Sequence, residues 1–187
     1  MQRPEACLEK KVIRRYVNQR ASNGPTISFD EFGPLEVRPQ AGRSWGSSAN
    51  RLRATYTRKH GVRHWLAFYD LHDDKLWGYV RPRKRSREVL DVLKTMRKRY
   101  PMDQRIHLIL DNFSPHGTKE VRAWCRRNNV HLIWTPTNAS WLNPIECQFT
   151  PVKEFVIRNT YYGNHEELRK ALDRYAAYRN AYAKRKR

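Results

Sequence analysis

The sequence contains few cysteines and no long apolar run. Its three cysteines are Cys7, Cys125 and Cys147. No two of them have the spacing of a zinc knuckle, and an odd number argues against a disulfide framework, so we expect reduced thiols. No apolar stretch approaches the roughly 20 residues that cross a bilayer, and the first residues carry charge without the apolar segment of a signal peptide. We therefore expect a cytoplasmic protein with no membrane partner.

Acidic residues are also scarce, and this makes the chain strongly basic. The 187 residues include 38 Lys and Arg against 18 Asp and Glu, which gives a net charge of +20 and a pI near 10.4. A positive field of this strength favours a polyanionic partner, and nucleic acid is the usual one. A very soluble basic protein of the ribosomal type is the alternative. Hydrophobic residues make up 39% of the chain, which excludes a disordered protein and fits one domain with a core.

Apolar patterns along the chain predict an α/β domain. Strand-like segments come first and then alternate with helix-like ones, which predicts a mixed sheet with helices on its faces. The first strand is expected to stop at Gly33-Pro34, and residues 34–50 are predicted to form an exposed loop. The strand-like segments are 26–33, 53–58, 64–71, 75–80, 105–110 and 130–135, and the helix-like segments are 81–101, 119–129, 143–149 and 164–187.

Acidic residues stand at the ends of apolar strand-like runs, where ligand sites of open α/β sheets collect. Asp30, Asp70 and Asp111 each end such a run, and Glu146 lies just inside the helix after the last strand. If the strands before Asp30 and Asp111 are parallel neighbours, the two carboxylates meet at one edge. Asp70 ends an antiparallel strand of the meander, so we expect it toward the other edge.

Two neighbouring carboxylates repel each other, and the pKa of one of them rises unless a cation lies between them. Mg²⁺ is the natural compensation, because it prefers hard oxygen ligands. A third acid from a facing helix would complete a site for two metal ions about 3.5–4 Å apart. The residue pattern alone leaves Asp30 open as an acid that caps a turn.

Local roles are also open for the polar residues around these acids. Asn143 suits a helix N-cap, Pro144 suits the first helical position, and Glu146 would then be an ordinary capping-box glutamate. Asn112 and His116 would be turn residues whose side chains satisfy loose backbone groups. Spacing within one sequence does not choose between these readings and a catalytic site.

The stretch from residue 108 to residue 149 closely resembles the catalytic core of the DDE transposases of the mariner-like superfamily, in particular the bacterial insertion-sequence branch. Thirty-four residues separate Asp111 from Glu146, which is the spacing of that branch, the DD34E type. The motifs that carry the resemblance are Asp111-Asn112, His116, Thr135-Pro136 and the run Ser140-Trp141-Leu142-Asn143-Pro144-Ile145-Glu146.

The first acid of such a triad is expected in a motif of a hydrophobic residue, Asp and Glu, followed by a segment with Gly, Arg and Trp. FDEFG at 29–33 and AGRSW at 41–45 match this pattern. The resemblance therefore implies Asp30 rather than Glu31 as the first acid. It covers about residues 27–170, nearly all of the chain.

The resemblance implies a fold, a reaction and a cofactor. The family fold is ribonuclease-H-like, an α/β mixed sheet flanked by helices, which agrees with the order of elements. The reaction is metal-dependent cleavage of DNA strands followed by strand transfer, the cut-and-paste form of transposition. Asp30, Asp111 and Glu146 are then the catalytic residues and hold two Mg²⁺ ions, for which Mn²⁺ can substitute. Water attacks the phosphate, so the lack of a Ser, Tyr or Cys nucleophile motif is consistent.

Other residues are expected to support the triad or to contact DNA. The basic runs at 81–85, 97–99 and 184–187 are expected to follow the phosphate backbone, which makes binding salt-sensitive. The individual candidates are Asn112, His116, Asn143, Arg43 and Trp45.

The resemblance also implies a division of the chain. Residues 1–25 are expected to be a linker or the remnant of a missing N-terminal DNA-binding region, residues 26–163 the catalytic domain, and residues 164–187 a basic C-terminal helix. Members of the family carry N-terminal helix-turn-helix modules, for which 25 residues are too few. We therefore expect a catalytic half, made from a split reading frame or a truncated element.

The expected partners follow from the same resemblance. They are double-stranded DNA, as element ends and as target, a separate N-terminal helix-turn-helix subunit, and a second copy of the chain in an active homodimer. Such a protein is expected at the nucleoid. Two alternatives remain: a ribonuclease-H-like nuclease without strand transfer, and an inactive remnant that only binds DNA.

Overall fold

A computed structural model of the protein describes residues 17–18, 23–41 and 60–183. Short 3₁₀ turns cover Ser114–Gly117 and Ser140–Leu142, and a π-helix covers Lys153–Ile157. The predicted strand at 53–58, Arg43 and Trp45, and the basic run at 184–187 lie outside the described residues. The strands are β1 (Thr26–Glu36), β2 (Val62–Asp70), β3 (Lys75–Arg81), β4 (Ile106–Leu110) and β5 (Val130–Trp134), and the helices are α1 (Ser86–Arg97), α2 (Lys119–Arg127), α3 (Glu146–Val152) and α4 (His165–Ala181).

The strands form one mixed sheet in the order β3-β2-β1-β4-β5. β2 runs antiparallel to β1 and β3, whereas β4 runs parallel to β1 and to β5. Ile27 of β1 lies opposite Leu108 of β4 on one side and Asp70 of β2 on the other. The predicted parallel neighbours are therefore confirmed, and β1 is the central strand.

Helices cover both faces of this sheet, as the predicted α/β architecture requires. On one face, α1 and α2 pack their apolar sides on residues of β1 and β2 such as Phe29 and Phe68. On the other face, α3, the π-helix and α4 pack around Trp65 of β2. Because side chains of a strand alternate between the two faces, Phe29 belongs to the first core, while Ser28 contacts the segment that leads into α3.

The helix ends follow the local sequence signals where these exist. α2 has Thr118 at its N-cap, and the Thr118 side chain accepts a hydrogen bond from the N–H of Val121. α4 begins after Asn164, whose side chain accepts from the N–H of Glu167 at 2.9 Å, as the capping pattern predicts. Pro151, which lacks a backbone N–H, lies near the end of α3, and the chain passes there into the π-helix.

The prediction that Gly33-Pro34 stops the first strand is wrong. β1 continues through these residues to Glu36, and its register against β2 shifts between Phe32 and Leu35. A proline is tolerated at such an irregularity because it need not donate to the ladder there. Leu35 is buried and joins the core under α3 and α4, and its burial stabilises the continuation of the strand.

The end of α4 lies against the edge strand β3. The Asn180 side chain accepts from the N–H of Leu76 at 2.8 Å and donates to the carbonyl of Leu76 at 2.7 Å. Arg179 pairs with Asp74 in the turn between β2 and β3. α4 therefore satisfies backbone groups on the side of β3 where the described residues place no strand. Among the described residues no helix has the length and apolar character needed to cross a membrane.

Gly78 in β3 leaves no room for a side chain, because a methyl group there would lie 2.6 Å from Cε2 of Trp65 and 2.8 Å from the carbonyl oxygen of Leu66. We expect Gly78→Ala to lower the free energy of unfolding by about 1–3 kcal/mol through overpacking, measured by thermal or urea unfolding. Gly117→Ala is the control, since its methyl group would meet the flexible end of Arg122 at 3.3 Å and would lie at an ordinary contact distance of 3.7 Å from the Trp134 ring. Equal stability of the two variants would contradict this packing argument.

Candidate active site

Asp30 lies in the middle of β1 and faces the layer of α3. Its side chain is buried, with 7% exposure. Oδ1 accepts a hydrogen bond from the N–H of Glu31 at 2.7 Å, and Oδ2 lies 3.5 Å from Nδ2 of Asn143. The pKa of Asp30 is raised to about 7. Burial is the largest cause, the hydrogen bond from the Glu31 N–H opposes it, and the nearby Asp111, Glu31 and Glu146 carboxylates add to it. Asp30 is thus a buried acid whose charge is not balanced.

Glu146 is the first residue of α3, and buried hydrogen bonds to β1 hold the segment that carries it. Asn143 is 1% exposed. Its Nδ2 donates to the carbonyl of Phe29 at 2.9 Å, and its Oδ1 accepts from the Ser28 hydroxyl. The Ser28 oxygen in turn accepts from the N–H of Ile145 at 2.9 Å. The residues just before Glu146 are thereby fixed to the strand that carries Asp30.

This arrangement corrects the predicted role of Asn143 as a helix N-cap. α3 begins at Glu146 with Ile145 in the cap position and no side-chain cap, so Pro144 precedes the helix. Asn143 ends the preceding 3₁₀ turn, and its side chain bonds to β1 instead. The buried tertiary bonds satisfy more groups than one local cap would. Glu146 is therefore not a capping-box glutamate.

The electrostatic settings of Asp30 and Glu146 are coupled. Burial raises the pKa of Glu146, its interaction with Asp30 lowers it, and the charge of Asp111 raises it again, with a net rise. The charge of Glu146 in turn raises the pKa of Asp30. Both carboxyl groups therefore favour the neutral form more than a solvent-exposed acid does.

Asp111 follows β4 directly and reaches the same edge of the sheet, as predicted. Its Oδ1 lies 2.8 Å from Nδ1 of His116 and accepts from the N–H of Phe113 at 3.1 Å. Burial alone would raise the pKa of Asp111, but the hydrogen bonds from His116 and from the Phe113 N–H outweigh it and lower the pKa. Asp111 is therefore held in its ionised form.

His116 lies between two carboxylates and has no exposed surface. Its Nε2 lies 2.5 Å from Oε1 of Glu31, and its Nδ1 faces Asp111. Burial alone would lower the pKa of His116, yet the hydrogen bonds and charges of Asp111 and Glu31 raise it to about 9. Lys84 adds a second cation, with Nζ 3.7 Å from Oε2 of Glu31. The contact between Glu31 and His116 joins residues 85 positions apart. The sequence offered one signal for it: both the Asp-Glu pair at 30–31 and His116 belong to the motifs that carry the family resemblance.

The remaining predicted residues lie away from the carboxylates or outside the described part of the chain. The Asn112 side chain donates to the carbonyl of Thr135 at 2.6 Å and so ties the end of β4 to the end of β5. Asp70 lies at the opposite end of the sheet, as predicted. It accepts hydrogen bonds from the Tyr100 hydroxyl and from the N–H of His72, both at 2.9 Å.

The donor set fits a hard divalent cation. Asp30, Asp111 and Glu146 supply only carboxylate oxygens, the ligands that Mg²⁺ prefers. Burial and, after it, the neighbouring carboxylates raise the pKa of Asp30, and a bound cation would offset both effects. In the described ranges, no three acidic, His or Cys side chains already have the arrangement of a metal site, so at least one of these three carboxylates would have to turn to bind the ion.

The sheet order, the helices on both faces, the acid in the middle of β1 and the acid that follows β4 define a ribonuclease-H-like domain. The family described as DDE superfamily endonuclease matches residues 25–169. The chain therefore belongs to the DDE superfamily endonucleases. The predicted fold and family are confirmed. The assignment to the DD34E subtype, which rests on the spacing of Asp111 and Glu146, stays a prediction.

Known proteins support this assignment. The chain is 23% identical over 150 residues to the insertion element IS630 39 kDa protein of Shigella sonnei, covering 79% of this chain and 43% of that protein. It resembles the Mos1 mariner paired-end complex with Mn at a TM-score of 0.68, with 15% identity, over 95% of this chain and 56% of the other. The catalytic domain of Mos1 mariner transposase gives 0.64 and 12% identity, over 95% and 83%. The chain thus spans less than half of the curated relative.

Asp30→Asn tests the unbalanced charge. The folded state holds the proton of Asp30 up to about pH 7, whereas the unfolded chain loses it near the ordinary pKa of an aspartate, 3.8. The stability that this carboxyl contributes is therefore complete below pH 3.8 and is lost as the pH rises through 7. We expect the variant to melt higher than wild type at pH 8 without metal, by about 2–4 °C for each kcal/mol regained, and the gain to vanish toward pH 4.

The same melting curves contain the metal test. Mn²⁺ should raise the melting temperature of wild type and of the control Asp70→Asn, but should raise that of Asp30→Asn much less. A lower melting temperature of Asp30→Asn at pH 8 would contradict the repulsion described above.

Asn143→Ala tests the anchor of Glu146. The substitution leaves the Ser28 hydroxyl and the Phe29 carbonyl buried without their partner, at a cost of about 1–3 kcal/mol for each group. We expect a clear fall in melting temperature. Asn164→Ala, which removes only an exposed helix cap, should cost about 1 kcal/mol. Similar losses in the two variants would argue against the buried anchor.

Proposed function

We propose that this chain is the catalytic domain of a transposase, which cleaves DNA strands with Mg²⁺ and transfers the freed ends to target DNA. The observation that carries the proposal is the meeting of Asp30, Asp111 and Glu146 at one edge of a ribonuclease-H-like sheet, with the pKa of Asp30 raised to about 7. Membership of the DDE superfamily endonucleases supports the same reaction class.

The three carboxylates have distinct tasks in this proposal. Asp111 is kept ionised by His116 and by the Phe113 N–H, so it offers a ready ligand. Asp30 and Glu146 have raised pKa values, and a divalent cation bound beside them would favour their ionised forms. The three carboxylates would hold Mg²⁺, or Mn²⁺ in its place, and the bound ion would supply activation of water and stabilisation of the leaving oxygen at the scissile phosphate. No side chain of the protein has to form a covalent intermediate.

DNA is the proposed substrate because of charge and of location. The chain carries a net charge of +20, and the basic run at 81–85 lies beside the site, where Lys84 pairs with Glu31. Related transposase structures are described as complexes with transposon ends. The phosphate backbone would follow this basic surface, so binding should weaken steeply with salt.

The finer partners belong to the same proposal. We expect double-stranded DNA as element ends and as target, a homodimer in the active complex, and a separate helix-turn-helix subunit that recognises the element ends. A protein engaged in this way would be found at the nucleoid of the cytoplasm. The division into residues 1–25, 26–163 and 164–187 also remains a proposal.

Asp111→Asn tests the reaction directly. The variant keeps the shape of the side chain but loses the charge that binds a cation. We expect Mg²⁺-dependent nicking of element-end DNA to fall by about 10³-fold or more, by analogy with the loss of one preorganised charge at other active sites. Salt-sensitive DNA binding, measured by fluorescence anisotropy, should stay within about twofold, since few of many phosphate contacts change.

Asp70→Asn is the matched control, because it changes a buried aspartate at the other end of the sheet.

A pre-cut element end added to wild type then separates the alternatives. Joining to target DNA supports a transposase, and nicking without joining indicates a nuclease. DNA binding without Mg²⁺-dependent nicking by wild type would indicate an inactive remnant.

A further inference from the structure

A chain of three side chains crosses the edge of the sheet beside the proposed metal ligands. Glu31 of β1 contacts Nε2 of His116 at 2.5 Å, and Nδ1 of His116 contacts Oδ1 of Asp111 at 2.8 Å. The histidine comes from the 3₁₀ turn after β4, so this chain joins β1 to the loop that carries Asp111. Neither Glu31 nor His116 belongs to the triad.

The alternation of β1 places its two adjacent acids on opposite faces. Asp30 lies near Asn143 on the side of α3, whereas Glu31 meets His116 and Lys84 on the side of α1. Glu31 is therefore directed away from the carboxyl pair of Asp30 and Glu146. Its side chain is 5% exposed, so it contacts its cations rather than solvent.

The histidine ring is fixed from both sides as well as at both nitrogens. The rings of Phe29 and Phe113 contact it edge-on, with centroids 5.2 and 5.4 Å away. The Lys84 ammonium lies over the Phe113 ring, with Nζ 4.3 Å from the ring centroid. A fully buried ring with both nitrogens engaged by carboxylates has no group left for a DNA phosphate or for proton transfer to solvent.

We propose that Glu31 and His116 are positioning residues, which hold the Asp111 carboxylate in the orientation that binds the divalent cation. Glu31 anchors the ring at Nε2, and the ring directs its Nδ1–H at Oδ1 of Asp111. The contacts from His116 and from the Phe113 N–H both engage Oδ1, and in the described part of the chain no hydrogen bond or ion pair involves Oδ2, which is left for the cation. This inference rests on the proposed function, because Asp111 acts there as a metal ligand.

Two substitutions of His116 separate its two contacts. The amide nitrogen of Asn lies close to the position of Nδ1, so His116→Asn keeps a donor for Asp111 and loses Glu31. The amide nitrogen of Gln lies close to the position of Nε2, so His116→Gln keeps the contact with Glu31 and loses Asp111. Glu31→Gln replaces the carboxylate by a neutral amide whose oxygen still accepts a hydrogen bond from His116. Glu31→Ala removes the acceptor altogether.

The effect of these substitutions on Asp111 as a metal ligand is measured as the affinity for Mn²⁺, by titration calorimetry on the metal-free protein. Groups that orient metal ligands typically change metal affinity by about 10–100-fold. We expect His116→Gln to lose affinity in that range, and Glu31→Ala and His116→Asn to lose less. Glu31→Ala added to His116→Asn should cause no further loss, because the effect of Glu31 on the orientation of Asp111 passes through Nε2 of His116. Nicking by Glu31→Ala should recover largely at saturating Mn²⁺, a change in metal requirement rather than in maximal rate.

His107→Asn is the matched control, since His107 is a buried histidine at the other end of β4. It should leave the Mn²⁺ affinity unchanged even where it lowers the melting temperature. If the Glu31 and His116 variants also melt lower but bind Mn²⁺ as wild type does, the two residues are only core residues and the inference is wrong. Glu31→Gln, which changes no volume, provides this comparison if the Ala variant fails to fold.

The outcomes also separate this inference from the proposed function. Wild type that binds no Mn²⁺ and shows no Mg²⁺-dependent nicking overturns both. Wild type that binds and nicks, together with His116→Gln of unchanged affinity, overturns the positioning role alone. Loss of affinity in His116→Gln with retention in His107→Asn supports it.

Discussion

Parallel pairing between β1 and β4 places carboxylates together on a sheet that is buried on both faces. The desolvation of these charges is unfavourable, and the protein offsets it only in part. Four carboxylates, those of Asp30, Glu31, Asp111 and Glu146, face two nearby cations, His116 and Lys84. Burial, together with the remaining imbalance of charge, raises the pKa of Asp30. Stability of the metal-free domain and affinity for a cation are therefore opposed at this edge.

The two faces of the sheet divide the site into a fixed half and an adjustable half. On the side of α1, Asp111 is ionised and held by a buried histidine. On the side of α3, Asp30 and Glu146 both have raised pKa values, and Glu146 is only partly buried at the start of a short helix. In the proposed metal site, Asp111 is thus already oriented, while Asp30 and Glu146 would turn toward the cation.

Sequence patterns predicted the parts of this arrangement that depend on local signals. The apolar run before Asp111, the cap at Asn164 and the helix over Lys119–Arg127 are all encoded within a few residues. Pro34 gave a misleading stop signal, because burial of Leu35 outweighs it. The roles of Asn143 and Glu31 depend on partners 114 and 85 positions away, so no local pattern specifies them. The family resemblance selected the acids, but only the packed sheet shows what holds each one.

The amide of Asn180 gives the sheet a further property. By occupying both the N–H and the carbonyl of Leu76, it does at the outer strand what another strand would do. An open β-edge is a template for addition of a foreign strand and for aggregation. The helix end thus leaves no backbone donor or acceptor of Leu76 open to an added strand at this point.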